Sequence, residues 1–195
     1  MKKRDFLAAA LSGTTVATTA GPAAAARGLA GPGLLTVTGA IGHGNRGPLD
    51  RALDQMMAKQ QLHFDRAHVF DFDALTTLPA VTLQPTLEYD GKVHVLRGPL
   101  LTDVVQATGA RIDAMTRVVL RAVDGYTVPL ALALARRYRF IVATHLDGRP
   151  MALGGLGPLW AVYEPDAYAD MAARPLAERY AQCPWGLYHV EVQAS

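Results

Sequence analysis

Three Asp-Gly pairs set the tightest limit on how this chain can fold. Asp90-Gly91, Asp124-Gly125 and Asp147-Gly148 each stand between runs rich in Val, Leu, Ile and Tyr. Asp-Gly accepts the positive φ that tight hairpin turns require, and the apolar runs on either side read as strands. The paired runs are 81–87 with 92–96, 117–123 with 126–130, and 138–146 with 149–153. Further β-branched or apolar runs at 34–41, 159–163 and 188–192 read as strands as well.

Helical spacing appears in fewer places. Leu49, Leu53, Met56, Met57 and Leu62 recur near a helical period, with Asp50 and Asp54 early and Lys59 late, which predicts one amphipathic helix. The methionines are expected to fill the core. A short helical turn is expected around 70–75, stopped before Leu78-Pro79. Gly98-Pro99 is expected to open a helix with Leu100, Leu101, Val104 and Val105 on one face and Gly109 as its cap. One or two short helices belong in 166–181. About eight short strands with interspersed helices predict a single α+β domain of mixed, mostly antiparallel short-stranded sheets. Half the residues are hydrophobic and 18% are charged, as in an ordinary globular domain.

The N-terminus has the three-part layout of an export signal. Lys2, Lys3 and Arg4 precede a weakly apolar stretch, and Ala23 to Ala26 suit a signal peptidase. Lys3-Arg4-Asp5-Phe6-Leu7 is similar to a twin-arginine motif with Lys in the first place, and the general secretory route is the alternative. The expected organisation is a signal over 1–26, a Gly/Pro linker over 27–33 and a domain over 34–195, in the periplasm or secreted. Cleavage after Ala26 removes three of the 19 basic residues and one of the 17 acidic ones, leaving no net charge. Nucleic acid is therefore not an expected partner, and the apolar stretch is too short to span a bilayer.

Residue types narrow the chemistry. Serine occurs only at Ser12 and Ser195, and lysine beyond position 3 only at Lys59 and Lys92. A serine nucleophile and Schiff-base chemistry are poorly served by that inventory. The lone Cys183 excludes an internal disulfide and a thiolate-rich metal site. It is expected to be a buried structural thiol, and on an extended chain His189 would stand about 20 Å from it. His43 lies in a glycine-rich loop with Asn45 and Arg46, where backbone amides and a guanidinium can approach an anion. His63 and His68 are expected to be exposed polar residues, and His94 and His145 satisfied core histidines. Arg136, Arg137 and Arg139 are expected on a solvated face, and Trp160 and Trp185 in the core.

Several short patterns, each present once, follow one another along the chain. They are Thr36-Val37-Thr38-Gly39-Ala40-Ile41, Asn45-Arg46, Phe72-Asp73-Ala74-Leu75 followed by Leu78-Pro79, and Gly98-Pro99-Leu100-Leu101-Thr102-Asp103-Val104-Val105 with Gly109-Ala110. Asp124-Gly125-Tyr126, Asp147-Gly148-Arg149-Pro150-Met151 and Gly157-Pro158-Leu159-Trp160 follow. In this order and spacing, residues 34–193 resemble the oxidoreductase molybdopterin-binding domain family, the sulfite-oxidase fold, in its small exported form. The resemblance implies molybdopterin as cofactor and places His43, Asn45, Arg46, Arg97, Tyr126 and Arg149 near it. In catalytic members a cysteine between the Leu-Pro segment and the Gly-Pro helix binds molybdenum. Here residues 80–97 hold no cysteine, and the matching place falls near Thr86, which supplies no soft sulfur ligand. No residue is assigned as a metal ligand. The expectation is an exported, non-catalytic module that binds a small molecule or an envelope protein. The alternatives are a molybdopterin-dependent oxidoreductase and an accessory subunit of a periplasmic redox or sensor system.

Overall fold

A computed structural model describes residues 29–194. The expected signal over 1–26 and the first two linker positions lie outside the described residues. The central element is a five-stranded sheet in the order β2-β1-β11-β5-β6. Its strands are β1 (Leu35–Gly39), β2 (His68–Phe70), β5 (Arg117–Ala122), β6 (Thr127–Ala131) and β11 (Leu187–Gln193). β1 and β11 run parallel, and the other neighbours are antiparallel. A four-stranded sheet joins β3 (Ala80–Leu83), β4 (Leu96–Pro99), β8 (His145–Leu146) and β9 (Arg149–Pro150). β7 (Ile141–Ala143) and β10 (Trp160–Val162) form a third, two-stranded sheet. The result is the expected single α+β domain with mostly antiparallel pairing.

Alternation gives the central sheet two different faces. Leu35, Val37, Val118, Leu120, Val128, Leu130, Val190 and Val192 bury one face in the main core. That core also takes Leu101, Val104 and Val105 of α3 (Leu101–Gln106), Leu132 and Ala135 of α4 (Leu132–Arg137), and β7 and β10. The opposite face carries Thr36, Thr38, Arg121, His189 and Glu191, with Thr36, Thr38 and His189 buried. The register slips between Leu187 and His189, so Tyr188 is an extra residue in the ladder. Leu187 packs in the main core, while Tyr188 packs with Met57 and Leu62 in a second, small cluster. Tyr188 also donates from its hydroxyl to Gln60 Oε1 at 2.8 Å, which ties that segment down over the polar face.

The segment 49–62 departs from expectation. Only α1 (Gln55–Lys59) is helical there. Asp50 Oδ1 accepts from the Ala52 and Leu53 amides at 2.8 and 3.1 Å, which fixes a turn instead of a first helical turn. Leu53 is 81% exposed and Met56 is exposed, so no continuous apolar stripe is buried. Met57 alone of the two methionines fills a core. Gly98-Pro99 ends β4 rather than opening the helix, since Ala80 pairs with Pro99 and Val81 with Gly98. A proline is tolerated at that terminal strand position. The helix expected next begins at Leu101, and Gly109 takes φ +71° just beyond it.

The hairpin at Asp147-Gly148 has the expected two-residue turn, with both residues at positive φ. Asp124-Gly125 also closes a hairpin, with the Ala122 amide bonding Tyr126 O. The Asp90-Gly91 turn is wider: Leu87 pairs with Lys92 across a four-residue loop, Glu88 to Gly91. α2 (Phe72–Thr77) is capped by the Asp71 side chain, which accepts from the Ala74 amide. α5 (Ala169–Ala172) and two short 3-10 turns fill 165–178. Trp160 is buried as expected, whereas Trp185 is 36% exposed at the surface. Among the described residues no helix is long and apolar enough to cross a membrane.

Candidate functional site

The loop after β1 uses its polar groups to hold the chain together. The Gly42 and His43 amides both donate to Thr108 O at 3.0 Å, and the Asn45 and Arg46 amides both donate to Ala67 O at 3.1 Å. Gly42-His43-Gly44-Asn45-Arg46-Gly47 has the glycine spacing of a dinucleotide-binding turn. No helix follows to receive a phosphate; Arg46 bridges Ala67 as an isolated antiparallel pair. Its glycines answer to close chain crossings instead. A Cβ at Gly42 would stand 2.3 Å from Gly109 O, and one at Gly44 would stand 2.5 Å from Ala67 O.

Two side chains in this loop, those of Asn45 and Arg46, are similarly committed. Asn45 Nδ2 donates to Val69 O at 2.8 Å, and Asn45 Oδ1 accepts from the Val69 amide at 2.7 Å. Arg46 forms an ion pair with Asp54 and lies 5.3 Å over the Phe64 ring. His43 is exposed, with its ring 5.3 Å from that of His68. His68 is half-buried, and burial first and His43 second hold its pKa below the ordinary histidine value. His63 is exposed, as expected.

The remaining candidates sit elsewhere. Arg97 on β4 and Arg149 on β9 are exposed. Arg97 stands opposite His145 in the ladder, and Arg149 stands opposite Leu146. Neither His94 nor His145 is a core residue. His145 is half-buried; its Nδ1 is 2.8 Å from Thr144 Oγ1, and its ring is 5.4 Å from Phe72. His94 lies between Asp147 Oδ2 at 2.7 Å and Asp90 Oδ2 at 3.0 Å, and these carboxylates raise its pKa. The fully buried histidine is His189. Its Nε2 is 2.9 Å from Thr38 Oγ1 and its Nδ1 is 3.2 Å from Arg121 Nη1. Arg121 has no acceptor, so Nδ1 accepts and Nε2–H donates to threonine. Burial first, then Arg121, push the His189 pKa down to about 3.

Tyr126 opens onto a different place. With Glu88, Tyr89, Asp124, Tyr180, Pro184 and Trp185 it lines a cleft of about 310 Å³. Its walls come from the Glu88–Gly91 loop, the β5–β6 turn and the chain leading into β11. Each wall is fixed by hydrogen bonds. The Thr86 amide donates to Asp166 Oδ2 at 2.7 Å, and Thr86 O accepts from the Tyr180 hydroxyl at 2.7 Å. The Tyr126 hydroxyl donates to Ala181 O and Trp160 Nε1 donates to Cys183 O, each at 2.8 Å. Yet Tyr89 is 56% exposed and Tyr126 is 49% exposed, and Trp185 shows its ring as well. No Lys, Arg or His is among the lining residues. Partial burial of the hydroxyl first, then the Glu88 carboxylate, push the Tyr89 phenol up to about 12.

Cys183 lies beneath this cleft, 4% exposed, and burial raises its thiol pKa well above the ordinary range. It is the buried structural thiol that the sequence suggests. Sequence reading found Tyr126 but missed Tyr89, Glu88 and Trp185, which reach the cleft from loops far apart in the chain. The readable signal was the Glu88-Tyr89 pair beside Asp90-Gly91, since a hairpin turn exposes what it carries. No family model matches the chain, and no curated protein matches it.

Proposed function

We propose that this chain is an exported, non-catalytic binding module of the sulfite-oxidase type of architecture, with the Tyr89–Tyr126–Trp185 cleft as its ligand site. One observation carries the reading: three large aromatic residues stay open to solvent in a single cleft whose backbone is already fixed. Exposed aromatic side chains gathered with polar groups in one concavity mark a binding site, because such a lining offers both contact area and orienting groups. Preformed walls lower the ordering cost of taking up a ligand.

Molybdopterin does not fit the residues beside Thr86. The adjoining cleft presents Glu88 and Asp124 and no cation to a phosphate-bearing group. Arg179 lies close by but is held by Asp166 at 2.7 Å and by the Arg174 and Ala172 carbonyls at 2.9 and 2.8 Å. The single thiol is buried and protonated, which makes it a poor ligand for an incoming metal.

The test is a thermal-shift screen of the mature protein against fractionated small molecules from its native envelope. A stabilising fraction whose effect disappears in Trp185→Ala supports the module. Stoichiometric molybdenum and pterin in protein from a cofactor-competent host would overturn it in favour of the oxidoreductase.

A further inference from the structure

We propose that the Tyr89–Tyr126–Trp185 cleft takes a small organic cation bearing an alkylated ammonium group; this deepens the binding-module reading and rests on it. Aromatic rings carry negative charge on their faces and attract cations, most strongly so for tryptophan. The charged side chains lining the cleft are Glu88 and Asp124, both carboxylates. Asp124 uses Oδ1 to accept from the Tyr126 amide at 2.9 Å, an interaction that leaves its negative charge uncompensated. The two arginines nearest these walls in the chain have carboxylate partners of their own: Arg121 pairs with Glu191 at 2.8 Å and Arg179 with Asp166. Rings and carboxylates thus favour the same sign of ligand charge.

The same residues select among cations. A hard divalent ion needs about six oxygen ligands, and ring carbons cannot replace its water. An alkylated ammonium is weakly hydrated and offers methyl groups to the rings, so it matches both halves of the wall. A neutral aromatic ligand would cover the rings and leave the carboxylates without a counter-charge. A volume of about 310 Å³ suits a small ligand or a single headgroup.

Calorimetric titration of the mature protein tests this with tetramethylammonium, choline, and 3,3-dimethyl-1-butanol, the uncharged carbon isostere of choline. Vesicles with phosphocholine headgroups form a separate arm. We expect both cations to bind and the isostere to bind roughly tenfold more weakly or not at all. Trp185→Ala should weaken choline binding roughly tenfold. Glu88→Gln should weaken it by a smaller factor, and Trp185→Phe should keep most of it, with circular dichroism unchanged in each. Binding to the vesicles without binding to free choline supports the same chemistry and assigns the source to lipid. An isostere that binds as tightly as choline, and is still lost in Trp185→Ala, overturns the cation and leaves the binding module standing. No binding of any cation in any arm, or choline binding untouched by Trp185→Ala and Glu88→Gln, also overturns the inference.

Discussion

The β1 loop and the aromatic cleft both gather polar side chains on loops, and they dispose of them in opposite ways. In the loop, the amides of Gly42, His43, Asn45 and Arg46, both ends of the Asn45 side-chain amide and the Arg46 guanidinium are taken by backbone carbonyls, the Val69 amide and a carboxylate of the protein itself. In the cleft, the backbone and the phenol of Tyr126 are taken, but ring surface and carboxylate charge remain in contact with solvent. Density of polar residues in a sequence therefore does not locate a site. What sets the cleft apart is ring surface and carboxylate charge gathered in one concavity after the fold has been satisfied.

That contrast can be broken by experiment, and the largest effect belongs to the buried polar layer beside the loop. His189 is held neutral, with its pKa lowered to about 3 against an ordinary 6.5. The unfolded chain takes up a proton in that window and the folded chain does not. Stability from His189 is thus complete above pH 6.5 and is lost as pH falls towards 3, by up to about 1.4 kcal/mol per pH unit. Urea unfolding across this range measures it. A flat profile would mean that His189 is not sealed under the segment around Met57.

Asn45→Ala comes next. It removes two hydrogen bonds to Val69 and should cost about 2 kcal/mol in the same assay, with ligand binding at the cleft unchanged. An Asn45→Ala protein of full stability would return Asn45 to the list of ligand groups. Arg46→Ala should cost about 1 kcal/mol, because the Asp54 pair is partly buried and the guanidinium also covers Phe64. In the cleft, Tyr126→Phe should cost only about 0.5–1 kcal/mol of stability while lowering cleft affinity a few-fold. If stability fell as far as in Asn45→Ala and affinity stayed put, the two regions would exchange roles.

The smallest effect is a pH dependence on the cleft side. His94 joins Asp90, at the base of the Glu88–Gly91 loop, to Asp147. Its pKa is raised by hydrogen bonding to Asp147 and then Asp90; that of Asp90 is lowered first by His94, and that of Asp147 first by the Val95 amide and then by His94. The histidine contribution is full below pH 6.5 and is lost as pH rises through its raised value. The carboxylate contributions are full above about pH 3.8 and are lost as pH falls through their lowered values. The melting temperature of the protein relative to His94→Gln should therefore peak between these limits and flatten in high salt. A difference that persists at alkaline pH would contradict the ion pairing.

Much of the fold was legible because local signals and tertiary packing agree there. The β5–β6 hairpin, β1, β10, β11 and α3 fall where turn chemistry and apolar runs place them. The failures share a cause. Leu49 to Leu62 carries a helical period, but Asp50 and Asp54 are drawn into other hydrogen bonds and Leu53 finds nothing to pack against. α4 was not anticipated, since the alternation of Leu130, Leu132 and Leu134 with alanine suits a strand and a helix equally. Trp185 reads as core by composition, yet it is exposed between buried Pro184 and Gly186 while its backbone bridges to Trp160. The cleft itself depends on three loops meeting, and only Tyr126 of its aromatic lining was singled out from sequence. The six residues proposed by resemblance divide between the β1 loop, the four-stranded sheet and the cleft.

The most direct test of the account is a 1H–15N titration of the mature protein with choline, followed at the backbone amides and the Trp185 indole N–H. Choline seated in the cleft should give saturable shifts at the Trp185 indole, Tyr89, Gly125 and Tyr126, with the amides of Gly42 to Arg46 unmoved. Shifts centred on the Gly42 to Arg46 amides, with the Trp185 indole silent, would contradict it.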